Sequence, residues 1–378
     1  MIKLENVSKI YPDGTQAVKD VSFRIKEGEL CVLLGPSGCG KTTTMKMINR
    51  LIPISEGEIY IDGTDNQELD ENELRRNIGY AIQEIGLFPH MTVAENIATV
   101  PNLKGWTKEE ARSRADELLE LMGMDPAEHM DKYPVELSGG QRQRVGVARS
   151  LGANPPIMLM DEPFGAIDPI TRDKLQDEFL KIQAEIQKTI VFVTHDINEA
   201  IKMGTKIALL KDGELVQYSS PAELLARPKN QFVRDFVGTD RTLKSMRLMR
   251  AKDAMKPSPK TVSVNSDMDE VRAEMESRNV DYLLATDESG RFKGWIQAKD
   301  LDGEDADSMD EVLSRDVGSV SKDTALSDAL SVMLEEDVAN IPVLGNDNVL
   351  QGILTFNDLQ QVIGETYTEE GGGKQVVS

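Results

Sequence analysis

"LCVLLGPSGCGKTTTMKMINRL", residues 30–51, passes from five apolar residues through a glycine-rich loop into a helix-forming run. Gly35 to Thr43 match the spacing G-x-x-x-x-G-K-[ST], and they do so after a strand and before a helix, the context in which that spacing carries chemistry. Glycines let a backbone wrap phosphates, so Gly35, Pro36, Ser37, Gly38, Cys39 and Gly40 are read as a cradle. Lys41 reaches the β- and γ-phosphates, and Thr42, with Thr43 beside it, brings a hydroxyl to Mg²⁺. A glycine-rich turn that binds nothing is the alternative, and the flanking strand and helix argue against it.

A second anion site follows about a hundred residues later. "ELSGGQRQRVGVARSL" (136–151) places Ser138, Gly139, Gly140 and Gln141 at the start of a helix. The first amides of a helix lack intrahelical acceptors, and they favour negative charge. Either the chain binds two phosphates, or this loop serves another molecule.

Two acids end the buried-strand pattern "IMLMDEP" (157–163). A hydrolysing nucleotidase needs a metal partner and a base there: Asp161 suits the first role and Glu162 the second. Capping of the following turn is the bland reading. His195 closes "IVFVTH", at a strand end where nucleotide phosphates lie in such sheets, and is assigned a γ-phosphate contact coupled to the attacking water. Taken singly, Gln83 reads as a surface-loop residue, and Tyr11 as packing or as a ring that stacks on adenine.

The formal charge of −22 over 378 residues argues against a nucleic-acid surface, which needs clustered Lys and Arg. The acidity is uneven. From Lys252 onward there are 11 Lys and Arg against 27 Asp and Glu, which suggests a boundary near residues 240–255. Cys31 and Cys39, the only cysteines, flank the loop and read as free thiols of a reducing compartment. The opening "MIKLENVSKIYPDG" has no signal-peptide pattern, and no apolar run approaches the roughly 20 residues that span a bilayer, so a membrane role is expected to be peripheral.

Residues 1–238 alternate short apolar strands with helical patterns, as a parallel α/β sheet does, while "MIKLENVSKIY" and "EGEIYIDG" alternate in the manner of an antiparallel flank. A basic stretch with Arg241, Lys244, Arg247, Arg250 and Lys252 follows, read as a linker over 239–251. Beyond it the chain repeats at an offset of 58 residues: "VDYLLATDESGRFKGWIQAKDL" (280–301) aligns without a gap on "VANIPVLGNDNVLQGILTFNDL" (338–359). The two β-α-β-β-α-like copies are placed at 252–309 and 310–367. The glycine-rich tail, 368–378, is expected to be disordered.

Together these residues resemble the nucleotide-binding subunit of an ABC transporter over about 1–240. "GPSGCGKTT" is similar to the Walker A motif, Gln83 to the Q-loop, "LSGGQ" (137–141) to the signature, "IMLMDEP" to the Walker B, Asp168 to the D-loop and His195 to the switch histidine. "GAID" at 165–168 departs from the usual Ser-Ala-Leu-Asp but keeps Asp168. The resemblance implies an α/β P-loop ATPase with a parallel core, an antiparallel flank and a helical subdomain. It implies ATP with Mg²⁺, Gln83 joining Thr42 and Asp161 at the metal and Asp168 joining the nucleotide site. It also answers the question of the second loop: two copies pair head to tail, and Ser138, Gly139 and Gly140 meet the partner's γ-phosphate.

Finer stretches, among them "YPDGTQAVKDVSF" and "RRNIGYAIQEIGLFPHMTVAENIATVP", resemble the quaternary-amine importers of glycine betaine, carnitine and choline. Transmembrane permease subunits, an extracytoplasmic solute-binding protein and a place on the cytoplasmic face of the membrane are then implied, without nucleic acid. The ATPase of another small-solute transporter and a soluble ABC protein are the alternatives. The repeat resembles a tandem CBS pair, an α+β module. Thr355 and Asp358 stand where such modules meet ribose or phosphate; the first copy keeps Asp300 but has Gln297 in place of the threonine. An adenine nucleotide or dinucleotide effector, a salt-sensing role and a purely dimerising role stay open.

Overall fold

The computed structural model describes residues 1–81, 86–165, 167–257, 259–278, 280–301, 308–315 and 317–368, which divide into two units. Met1–Leu224 with Pro228–Val237 form the first, and Leu225–Arg227 with the chain from Gly238 form the second.

In the first unit, β1 (Ile2–Ile10) pairs antiparallel with β2 (Gln16–Ile25), and it leads to the central strand β3 (Leu30–Leu34). α1 (Lys41–Ile48) follows, then β4 (Glu56–Ile61), β5 (Thr64–Asp65), α2 (Glu71–Arg76) and β6 (Ile78–Ala81). Four helices come next: α3 (Val93–Leu103), α4 (Lys108–Leu121), α5 (Pro126–His129) and α6 (Gly139–Leu151). The chain then returns through β7 (Ile157–Asp161), α7 (Pro169–Ile186), β8 (Thr189–Thr194), α8 (Ile197–Met203), β9 (Lys206–Lys211) and β10 (Glu214–Ser219); α9 (Pro221–Ala226), whose last two residues belong to the second unit, and α10 (Gln231–Val237) follow.

Strand burial explains the sheets. Every residue of β3, β7 and β8 is buried, as strands covered on both faces must be, and they pair in parallel in the order β10-β9-β3-β8-β7-β6. Only β10 runs antiparallel. β1, β2 and β4 bury alternate or clustered residues and form the antiparallel sheet β2-β1-β4-β5. Both sheets share one apolar core with Ile2, Val21, Ile25, Leu33, Met47 and Leu159. α3, α4 and α6 pack on one another as a helical layer, and three of their starts are legible in sequence. Thr92 with Glu95, Thr107 with Glu110 and Ser138 with Gln141 each form a reciprocal cap.

In the second unit two strands carry the repeat offset residue for residue. Its strands and helices in chain order are α11 (Arg241–Leu248), α12 (Ala251–Ala254), β11 (Lys256–Pro257), β12 (Thr261–Ser263), α13 (Met268–Arg278), β13 (Tyr282–Thr286) and β14 (Phe292–Gln297). α14 (Met309–Val312), β15 (Val320–Ser321), α15 (Leu326–Glu335), β16 (Asn340–Leu344), β17 (Leu350–Thr355) and α16 (Phe356–Thr368) complete it. β13 and β14, moved 58 positions, coincide with β16 and β17. The two sheets are β12-β13-β14 and β11-β17-β16-β15, and Leu284, Trp295 and Ile353 bury together between them.

The stretch expected as a solvated linker is instead part of this unit. α11 buries Met246 against Leu326, Ala329 and Met333 of the second repeat, and its Lys244 is buried and paired with Asp240. Lys252 pairs with Asp323 at 2.7 Å. Thr368, expected in the disordered tail, ends α16; the remainder of that tail lies outside the described residues.

Candidate functional site

β3, β8 and β7 are neighbours in register, Leu34 beside Thr194 and Val193 beside Asp161. The glycine loop, His195 and the acidic pair therefore all open at the carboxyl ends of adjacent parallel strands, the edge at which doubly wound sheets take ligands.

Backbone crowding dictates the glycines. Gly35 has φ +147°, and a Cβ there would lie 2.2 Å from the Leu210 carbonyl oxygen; at Gly40, φ +98°, it would lie 2.4 Å from that of Ala17. Neither position admits a side chain without moving the backbone. Pro36, Ser37 and Gly38 form the exposed rim, and Cys39 is buried behind it.

Lys41, only 6% exposed, turns its Nζ back onto the loop, donating to the carbonyls of Gly35 at 2.7 Å and Pro36 at 2.9 Å. Among the described residues no carboxylate pairs with it. A buried ammonium held by neutral carbonyls fits an incoming anion. Thr42 and Thr43 occupy the first turn of α1, and the Thr42 hydroxyl donates to Asp161 Oδ1 at 3.0 Å. Burial pushes the Asp161 carboxyl up, while the Thr42 hydroxyl and Lys46 pull it part-way back. A hydroxyl and a desolvated carboxylate side by side suit Mg²⁺, which takes few protein oxygens and completes its shell with phosphate and water.

Glu162 leaves the strand with φ +45° and its N–H bonded to the Val193 carbonyl at 3.0 Å. A non-glycine residue in that region costs about 1 kcal/mol or more, and here the turn aims the carboxylate out of the sheet edge. His195 Nδ1 lies 3.1 Å from Glu162 Oε1. A carboxylate only accepts, so the histidine donates. Asp168 caps α7 through the Thr171 N–H at 3.1 Å, and that bond lowers its carboxyl. Tyr11 follows β1, half-buried, with Lys9 Nζ 5.3 Å from its ring centroid. Gln83 lies outside the described residues.

The signature loop stands on a different layer. Ser138 caps α6: its Oγ accepts from Gln141 N–H at 3.2 Å, and its own N–H donates to Gln141 Oε1 at 2.8 Å. Gly139 and Gly140 have open space where a Cβ would project, apart from the end of Arg142 at 4.0 Å from Gly139's. Ser138 keeps its O–H to donate, and the two glycine amides face no protein acceptor among the described residues.

The sequence and the fold both have matches among known proteins. The ABC transporter family model matches residues 18–165, and the CBS domain model matches 251–305 and 309–365. The chain is 47% identical over 366 residues to the glycine betaine/carnitine/choline transport ATP-binding protein OpuCA of Bacillus subtilis, covering 96% of each. It is 43% identical to the osmoprotectant import ATP-binding protein OsmV of Salmonella typhimurium, covering 93% of each. The chain belongs to the ATP-binding subunits of osmoprotectant ABC importers. A solved relative of this importer ATPase is the dimeric bacterial ABC transporter cassette MJ0796, with 42% identity, a TM-score of 0.53, and coverage of 58% of this chain and 99% of that one. Such cassettes bind ATP, dimerise and act with permease subunits.

Three buried residues of the importer ATPase escape a sequence reading because they have no motif context of their own. Glu199 accepts from Thr194 Oγ1 at 2.5 Å and from Gln176 Nε2 at 3.0 Å, tying the strand before His195 to the helix that Asp168 caps; burial pushes its carboxyl up. Gln143 of α6 donates to the carbonyl of Pro163, next to Glu162. His129 touches Gln141 from below.

In the second repeat, Thr355 and Asp358 bond to one another, N–H to Oδ2 at 2.9 Å and hydroxyl to Oδ2 at 2.6 Å, and Lys256 reaches Asp358 Oδ1 at 2.9 Å. Burial opposes ionisation, but the Thr355 hydroxyl and Lys256 hold the Asp358 carboxyl low. Gln297 and Asp300 form no such pair among the described residues.

Proposed function

We propose that two copies of this chain bind ATP and Mg²⁺ head to tail, each nucleotide lying between the Gly35–Thr43 loop of one and Ser138, Gly139 and Gly140 of the other. Closure and hydrolysis then power a permease that imports glycine betaine, carnitine or choline from a solute-binding protein, with the chain at the cytoplasmic face of the membrane. The observation that carries this reading is the convergence of Lys41, the Thr42–Asp161 pair and the Glu162–His195 pair on one sheet edge. The complementary donors of Ser138, Gly139 and Gly140 head α6 in a separate layer.

In the proposed cycle Lys41 exchanges its loop carbonyls for the β- and γ-phosphates, an exchange of neutral acceptors for charged ones. Thr42, Asp161 and Gln83 would hold Mg²⁺, which when bound offsets phosphate charge. His195 turns from Glu162 towards the γ-phosphate, and Glu162 takes the proton of the attacking water. Asp168 borders the same nucleotide, and Tyr11 stacks on its base.

Uptake of labelled betaine, carnitine and choline in a strain without other importers tests the solute. The complete transporter is expected to import at least one of them, and a Glu162→Gln subunit none. Normal assembly with no uptake of any of the three contradicts the reading.

For the second unit, the bonds within Thr355, Asp358 and Lys256 favour a capping role that a nucleotide would have to displace. Asp358→Ala is expected to lower the stability of this unit by about 1–2 kcal/mol, the worth of a cap, and Asp300→Ala by under about 0.5; thermal melts compare them. Calorimetric titration of the Lys41→Ala chain with adenine nucleotides addresses the effector question, since binding at the ATP cradle is then weakened. Heat that disappears in the Asp358→Ala double variant assigns an effector site.

A further inference from the structure

A buried histidine beneath the signature loop has no part in the chemistry described so far. His129 ends α5 and is 6% exposed. Among the described residues its ring has two close partners: Nδ1 lies 2.9 Å from the Asp125 carbonyl oxygen, and Nε2 lies 3.1 Å from Gln141 Nε2. Partner chemistry places the protons. The Ser138 N–H donates to Gln141 Oε1 at 2.8 Å, which fixes the carboxamide with its NH₂ towards His129. An amide NH₂ only donates, so His129 Nε2 accepts, and the proton of the neutral ring sits on Nδ1, facing the Asp125 carbonyl. Glu128 Oε1, 3.7 Å from Nε2, is itself engaged by Lys132 at 2.8 Å.

We propose that His129 is a positioning residue for the shared nucleotide: it clamps Gln141 Nε2, so that Gln141 Oε1 fixes Ser138 and presents its hydroxyl and the glycine amides to the partner's phosphate. This rests on the reading that the signature loop meets a second copy's ATP. With the acceptor removed, the Gln141 carboxamide rotates freely and Ser138 N–H loses its fixed partner. Closure must then restore an order that the free chain no longer holds, and apparent ATP affinity falls with the populated fraction.

The decisive comparison uses two amides of different reach in the full-length Glu162→Gln chain. His129→Gln carries a carbonyl oxygen to about the position of Nε2 and keeps an acceptor for Gln141. His129→Asn keeps a donor near Nδ1 for the Asp125 carbonyl but falls short of Gln141. The ATP concentration at half-maximal dimer, read by light scattering, is expected to stay within about twofold of the parent for His129→Gln. For His129→Asn and His129→Ala it should rise roughly five- to tenfold, the equivalent of one hydrogen bond. Equal effects of the two amides, or the reverse order, overturn the clamp, because a histidine that only secures α5 is better replaced by Asn.

A second measurement does not depend on dimerisation. Nitrogen NMR of the full-length chain, labelled at its three histidines, should show His129 neutral with its proton on Nδ1, assigned by the loss of that signal in His129→Asn. The opposite tautomer overturns the proposal. If the Glu162→Gln parent itself never dimerises in ATP, the shared-nucleotide reading fails, and the tautomer still tests whether His129 Nε2 accepts from Gln141.

Discussion

Glu162→Gln is expected to cut ATP turnover by roughly 10²- to 10⁴-fold, the usual worth of a general base, while ATP binding persists. The carboxamide has nearly the shape of the carboxylate, and its oxygen can still accept from His195 Nδ1, which lies 3.1 Å from Glu162 Oε1. The backbone N–H stays bonded to the Val193 carbonyl, so the turn with positive φ is retained. What the amide lacks is a lone pair basic enough to take the proton of the attacking water. Phosphate release at saturating ATP reads the loss, and light scattering reads the accompanying gain of an ATP-held dimer. Normal turnover would remove Glu162 from the base role.

Lys41→Ala should weaken ATP binding by about a hundredfold, as expected when one or two charge-assisted hydrogen bonds to phosphate disappear. The geometry makes this larger than a surface charge deletion. Lys41 is buried, and its ammonium is the cation that Gly35 and Pro36 hold at the floor of the cradle. Removing it leaves the glycine amides to bind phosphate alone and also leaves two carbonyls short of a donor, so a modest loss of thermal stability should accompany the loss of affinity. Lys41→Arg is no rescue, because a planar guanidinium cannot take up the bonds that the compact ammonium makes to the Gly35 and Pro36 carbonyls. Equilibrium binding of a fluorescent ATP analogue measures the change.

The sheet edge was legible in sequence because each of its motifs carries its own context. A fully apolar strand before Gly35 and another before Asp161 and Glu162 announce parallel strands buried on both faces, and ligands meet such strands at their carboxyl ends. The repeat was equally legible: an offset without gaps obliges β13 and β14 to reappear as β16 and β17. The basic stretch misled, since five Lys and Arg in thirteen or so residues read as solvated. The periodicity that buries Met246 and turns Lys244 inward spans barely two turns of α11, and only the second repeat's helix shows what covers it. Glu199, Gln143 and His129 were invisible for another reason. Each acts on residues outside its own element through side-chain bonds, and no spacing along the chain encodes such contacts.

The claim beneath the whole account is that one nucleotide is completed by two chains, and mixing two disabled chains tests it most directly. Lys41→Ala spoils the phosphate cradle and leaves the signature; Ser138→Arg spoils the signature and leaves the cradle. With Glu162→Gln added to both to prevent turnover, neither chain alone should retain ATP after rapid gel filtration. Their mixture should retain one ATP per pair of chains, because the cradle of one then meets the signature of the other. A mixture that retains no more than the two chains measured separately contradicts the account.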